Sequence, residues 1–124
     1  MSQDVVADGL NQMMNALRAR KTTVELIHHS SLLMSVLALA KLKGYVKEYR
    51  VENNILKIEI GRLNGCNAIK PRFTVAVEDL DKYVKRYLPA KDIGIIIVST
   101  PKGLMTHQTA AQKNLGGSLI AYLF

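Results

Sequence analysis

The 124-residue chain has no tryptophan, one cysteine, three prolines, and only two phenylalanines and five tyrosines. A single cysteine, Cys66, excludes an internal disulfide and fits a reducing compartment. Long hydrophobic runs are missing too. The longest near-continuous one, Leu32–Ala40, is interrupted by Ser35 and falls far short of the ~20 residues a bilayer-spanning helix needs. Near the N-terminus, acidic Asp4 and Asp8 stand where a secretion signal would carry basic residues. These absences place the protein in the cytosol. The chain shows no internal repeat, no low-complexity segment and no long basic tail, so any contact with a polyanion must come from folded surface.

Hydrophobic residues make up 48% of the chain, enough for a packed core in one ordinary domain or two small ones. Seventeen Lys and Arg face ten Asp and Glu, giving a formal charge of +7 and a pI near 9.7. That excess suggests a polyanionic partner. It is spread out: residues 1–65 hold 9 basic and 6 acidic side chains, residues 66–124 hold 8 and 4.

Val6, Leu10, Met13 and Leu17 recur at helical spacing, predicting a helix over 5–19 with Asp4 as its cap. Its opposite face carries Asp8, Asn11, Asn15 and Arg18. Thr22–Ile27 reads as a strand. Ser30 or Ser31 caps a second helix, Leu32–Lys43, apolar nearly all round, ended by Gly44 and expected to be the most buried element of the first half. Tyr45–Ile60 alternates as a hairpin, with Tyr45, Lys47, Tyr49 and Val51 on one face of its first strand. Leu56, Ile58 and Ile60 share a face of its second strand, and Glu52-Asn53-Asn54 forms the turn. After a composition break at 61–67 come a strand near Phe73–Val77, a helix over Asp79–Tyr87 stopped by Pro89, and an apolar strand Ile93–Ser99. A short helix capped by Thr106 and a last strand, Ser118–Phe124, complete the chain. The expectation is an α+β fold: an N-terminal α-β-α-β-β domain over 1–65 and a mainly β domain with short helices over 66–124.

Three catalytic or ligand-binding readings fail on spacing. His28 and His29 are neighbours on a strand end and point to opposite faces, and neither Cys66 nor His107 stands at a zinc-ligand interval from them. Ser99 and His107 lack the Gly-x-Ser-x-Gly elbow of a nucleophile and any carboxylate to orient the base. Lys102-Gly103 reverses the order of a phosphate-binding loop, whose glycines precede the lysine. No enzyme, metal or cofactor is expected.

The stretch "IIIVSTPKGLMTHQ" (residues 95–108) fits a fourth reading better. Phosphate and sugar oxygens are met by hydroxyls, cations and free backbone N–H groups, and Ser99, Thr100, Lys102 and the Pro-Lys-Gly turn gather these within five residues. Structured RNA is read by shape, 2′-hydroxyls and phosphates. The plainer alternative is a turn that uses Pro and Gly for geometry alone. Basic sets at Arg18/Arg20/Lys21, Lys70/Arg72 and Lys85/Arg86/Lys91 read equally well as solvated faces. Tyr87 could stack on a base or pack at a helix end. Gly116-Gly117 could admit a close RNA backbone or simply begin a strand.

"VSTPKGLMTHQTA" followed by "LGGSLIAYLF" resembles the C-terminal signature of the universal small-subunit ribosomal protein eight family. "DVVADGLNQMMNALRARKTTVEL" resembles its N-terminal helix and first strand, and "GCNAIKPRFTVAVEDLDKYVKRYLPAKDIGIIIVST" is similar to its archaeal and eukaryotic branch. The resemblance runs in order along essentially the whole chain. It implies a non-enzymatic constituent of the small ribosomal subunit, bound to the central domain of small-subunit rRNA and beside other small-subunit proteins, without a membrane or a small-molecule substrate. An RNA-binding regulator outside the ribosome, for example one acting on its own messenger RNA, is the alternative. By position, the RNA contacts implied are Ser99, Thr100, Lys102 and Gly103, then Gly116, Gly117 and Tyr87, then Asn11, Asn15 and Arg18. The chain departs from the family pattern at Pro101, where many members carry a third hydroxyl, and at Ser118, where bacterial members commonly carry glutamate. It also lacks a proline after Asp4.

Overall fold

In a computed structural model that describes residues 5–27, 29–69, 72–90 and 93–124, the chain divides into two compact units, Met1–Asn67 and Ala68–Phe124. The expected cap Asp4, and also His28, Lys70, Pro71 and Lys91, lie outside the described residues.

Helix α1 (Val5–Arg18) buries Val6, Leu10 and Met13 as the spacing predicts, with Ala16 rather than Leu17 completing the stripe. It ends without glycine. Arg20 takes φ 58°, so that Lys21 N–H reaches the Ala16 carbonyl at 2.8 Å and Arg20 N–H reaches Leu17 at 3.0 Å. This closure satisfies carbonyls that the last helical turn leaves open. Helix α2 (Ser31–Leu42) starts on Ser30, whose hydroxyl accepts the Leu33 N–H, and closes in the same way through Gly44 at φ 85°. It buries only Leu33, Val36, Leu37 and Ala40, and Leu42 is 79% exposed. The expectation that it would be the most buried element is therefore corrected: α1 buries six of its residues.

Strands β1 (Thr23–Leu26), β2 (Val46–Glu52) and β3 (Ile55–Ile60) form an antiparallel sheet in the order β1-β3-β2. Leu56, Ile58 and Ile60 point inward as the alternation requires. The phase assigned to β2 needs correction. A bulge between Val46 and Glu48 lets Val46 face Ile60, while Tyr49 and Val51 face Ile58 and Leu56. One extra residue shifts the alternation, so Val46 is buried where Tyr45 and Lys47 were expected. Asn53 and Asn54, at φ 52° and 62°, form the two-residue turn. The outer face is a ladder of charge, with Lys41–Glu48 at 2.9 Å, Lys47–Glu59 at 3.4 Å and Glu52 held by Arg50 at 2.7 Å and Lys57 at 3.1 Å.

The composition break holds a short strand, β4 (Cys66–Ala68), that its sequence did not announce. The Cys66 thiol donates to the Leu10 carbonyl at 3.6 Å, and burial pushes its pKa up to about 12. In the second sheet β4 pairs with Gly117–Leu123 (β8), which also carries β5 (Thr74–Val75) and pairs in turn with Ile95–Thr100 (β6) and, beyond it, Gly103–Thr106 (β7). Strand β6 (Ile95–Thr100) is buried on both faces over Ile95–Val98, which is why it reads as a continuous apolar run. It turns through Pro101-Lys102 into β7 (Gly103–Thr106), a strand not among the expected elements, so the Pro-Lys-Gly turn closes a hairpin.

Helix α3 (Leu80–Tyr87), entered through a 3-10 turn at Val77–Asp79, lays Leu80 and Val84 onto Ile96, Val98 and Leu119. Leu88 is extended ahead of Pro89 and ends it. Helix α4 (His107–Gln112) is capped by Thr106, whose hydroxyl accepts the Thr109 N–H at 3.3 Å.

Candidate nucleic-acid interface

Along β6 the side chains alternate, so Ile95, Ile97 and Ser99 share one sheet face while Ile96, Val98 and Thr100 share the other. Ser99 is the first residue on its face to be exposed. Register places Ser118 directly opposite it on β8, and Thr74 directly opposite Ser118 on β5. Three hydroxyls therefore cross three strands in one row. Ser118 and Thr74 Oγ atoms lie 3.4 Å apart, and Ser99 makes no side-chain hydrogen bond among the described residues. The rigid apolar strand behind Ser99 removes most of the freedom that binding would otherwise have to freeze.

Thr100 plays a different part from Ser99. It is buried, its Oγ1 donates to the Gly103 carbonyl at 2.8 Å, and it accepts the Lys102 N–H at 3.2 Å. The Thr100 hydroxyl, expected as a contact, thus shapes the turn from within. The turn amides are likewise not free. Pro101 has none, and that of Lys102 is taken by Thr100. What remains at the tip is the exposed Lys102 ammonium, which meets no carboxylate among the described residues, and the exposed Gly103 at φ 118°.

Gly116 and Gly117 are explained by packing. A Cβ on Gly117 would collide with the Ser99 carbonyl oxygen, and one on Gly116 would lie 2.6 Å from the Val75 carbonyl oxygen. Gly117 is buried. The bare backbone of these glycines lets β8 lie close against β6 and β5. Tyr87 is half-buried, stacked at 5.2 Å on Tyr122, with the Arg86 guanidinium 5.6 Å from its ring. In the first unit, Asn11, Asn15 and Arg18 are all exposed on one face of α1.

His107 is a packing residue. It is buried, and its Nδ1 accepts the Ile96 N–H at 3.0 Å, extending the β6 ladder where β7 gives way to α4. A nitrogen so occupied is not available to take a proton from Ser99. Among the described residues no three His, Cys, Asp or Glu side chains group as a metal site, and no helix is long and apolar enough to cross a membrane. Sequence reasoning missed Thr74 and the position of Ser118. The alternation of β5 carried that signal, but only the pairing with β8 gives it meaning.

These features define a class: a small basic α+β protein that presents hydroxyls and a cation on the rim of a stiff sheet. The chain belongs to the family described as ribosomal protein S8, whose model matches residues 4–124. It is 40% identical over 129 residues to the small ribosomal subunit protein uS8 of Nanoarchaeum equitans, with all of both chains covered.

Proposed function

We propose that this protein is a structural constituent of the small ribosomal subunit, binding the central domain of small-subunit rRNA directly and helping to organise assembly. Membership of the ribosomal protein S8 family supports the ribosomal role. The observation that carries the RNA reading is the unbonded, exposed Ser99 hydroxyl in line with Ser118 and Thr74, beside the unpaired Lys102. Short hydroxyls let sheet and ribose-phosphate backbone approach closely, and Lys102 meets phosphate. Gly103 leaves room at the tip, while Thr100, Gly116 and Gly117 set the geometry. Asn11, Asn15 and Arg18 offer amide and guanidinium donors from the first unit. The protein's work is to position RNA; no bond is made or broken.

The test is binding to a folded fragment of the rRNA central domain over a series of salt concentrations. Log affinity falls linearly with log salt if phosphates are neutralised, and a flat line overturns the reading. Ser99→Ala weakens binding by about 1 kcal/mol for the lost neutral hydrogen bond, with the denaturation midpoint unchanged. Co-sedimentation with small subunits separates the ribosomal role from RNA regulation outside the ribosome.

A further inference from the structure

On the sheet face opposite Ser99, five rings form an unbroken half-exposed row at the edge of the core of the second unit: Phe73, Tyr83, Tyr87, Tyr122 and Phe124. Phe73 and Tyr83 meet at 5.1 Å and 54°. The next three pairs are near-parallel: Tyr83–Tyr87 at 6.5 Å and 17°, Tyr87–Tyr122 at 5.2 Å and 25°, Tyr122–Phe124 at 6.2 Å and 2°. Burial alone does not demand this. Aromatic pairs in cores settle into tilted or offset arrangements pair by pair, and nothing in core packing requires three successive near-parallel pairs.

The row comes from three separate places in the chain. Tyr83 and Tyr87 are four apart on α3, beside the buried Leu80 and Val84. Tyr122, opposite Ile96 on β8, and Phe124, just past that strand's end, are two apart and pack against the same core. Each tyrosine of α3 has a cation next to it, with the Lys82 ammonium 6.0 Å from Tyr83 and the Arg86 guanidinium 5.6 Å from Tyr87. The acidic residues Asp79 and Asp81 stand at the start of the helix, Asp81 next to Lys82, and its last turn carries only the cations Lys85 and Arg86. Parallel rings flanked by cations match the chemistry of unpaired nucleotides, whose bases stack on aromatic faces while their phosphates meet positive charge. An acidic or purely apolar peptide would use the cations or the rings, but neither would draw on near-parallel rings.

We infer that this aromatic row is a second RNA-binding surface, one that takes unpaired nucleotides by stacking and is distinct from the hydroxyl row on the other face. The inference rests on the RNA-binding reading above but makes separate demands. Bases stack along Tyr87 and Tyr122, and Arg86 holds the adjoining phosphate.

The experiment titrates the full chain with single-stranded hexa-adenylate and hexa-uridylate, and in parallel with the folded rRNA fragment. The chain contains no tryptophan, and of its five tyrosines only Tyr45 and Tyr49, in the first unit, lie outside the row, so tyrosine emission compared between the native chain and Tyr87→Phe reports ring contact. Both hexamers are expected to quench it, adenylate more strongly because purines stack better. Tyr87→Leu keeps the apolar contact and removes the ring, and weakens hexamer binding about tenfold, within the range of base-on-ring stacking. Tyr87→Phe restores it, and exposed Arg86→Gln weakens it without touching the core. Ser99→Ala leaves hexamer affinity within twofold. Hexamers that do not bind, or that bind Tyr87→Leu and Arg86→Gln as well as the native chain, overturn the inference while intact binding of the rRNA fragment keeps the wider reading. Loss of both RNAs from the native chain overturns the two together. Normal binding of both RNAs by Tyr87→Leu, with failure to join the subunit, assigns the row to a protein partner instead.

Discussion

The hairpins β2–β3 and β6–β7 both close with two residues, Asn53-Asn54 and Pro101-Lys102, yet their tips are built for opposite purposes. In the first, both turn residues adopt positive φ, which matches the right-handed twist of the strands without further help. Its charges then cancel at home: Glu52, beside the turn, is gripped by Arg50 and Lys57. In the second, proline fixes a negative φ, and the geometry is completed by Gly103 at φ 118° and by Thr100 bonded to both sides of the turn. Its cation Lys102 is left without a partner among the described residues. A self-neutralised tip offers little to a polyanion, whereas a rigid tip with one spare cation and a neighbouring spare hydroxyl offers both.

The comparison breaks most readily at Gly117. An added Cβ there meets the backbone of Ser99 and Thr100, which cannot rotate aside as a side chain would. Gly117→Ala is expected to destabilise the protein by about 3 kcal/mol, the upper end of overpacking costs, read as a shift in urea midpoint. Asn54→Gly at the other hairpin should change stability by less than about 0.5 kcal/mol, since glycine accepts the same φ at a small entropic cost. A tolerated Gly117→Ala would mean that β8 does not press on the hydroxyl corner as described, and would return Gly117 to the list of surface contacts.

His107 sharpens the same contrast. The first hairpin sits in a sheet whose side-chain bonds are exposed ion pairs, whereas the second borrows a buried imidazole to complete the β6 ladder. His107→Leu fills similar space but strands the Ile96 N–H in the core. A buried donor without an acceptor costs about 2 kcal/mol. Thermal unfolding measures the loss, and hydrogen exchange should show it at the Ile96 amide. An unchanged Ile96 amide would show that another acceptor replaces the ring.

Much of this arrangement was legible in the residues. Helix ends were announced by Ser30, Gly44, Thr106 and Pro89 because capping and backbone restriction are local. β6 and β3 were announced by their apolar patterns. What escaped was non-local. The bulge at Lys47 depends on how β2 meets β3, and β4 is too short to show periodicity. The Ser99–Ser118–Thr74 row joins residues as far apart as 74 and 118, and no spacing rule connects them. Thr100 illustrates the limit at the site. Its chemistry marked it alongside Ser99, and only its phase on β6, which turns it inward one residue from the exposed Ser99, shows that its hydroxyl shapes the turn.

The smallest effect belongs to the charged face of β2–β3, and its direction is fixed. The Lys41 ammonium bonded to Glu48, helped by the Tyr49 N–H, holds the Glu48 carboxyl below its ordinary value of 4.5, and Lys57 with Arg50 does the same for Glu52. A carboxyl whose pKa is depressed on folding stabilises the fold above its unfolded value and loses that contribution as the pH falls through the lowered one. The window is therefore the acid side of 4.5. Both side chains are solvent-exposed, so water and salt screen these pairs and neutral-pH stability should barely respond. Lys41→Met is expected to move the Glu48 titration, followed by carboxyl NMR, back toward 4.5 while leaving the urea midpoint at pH 7 in place. Added salt should produce the same shift in the native chain. If Lys41→Met instead lowered the midpoint at pH 7 as far as His107→Leu does, the outer ladder of the first unit would be structural in the way the buried imidazole is, and the contrast between the two hairpins would collapse.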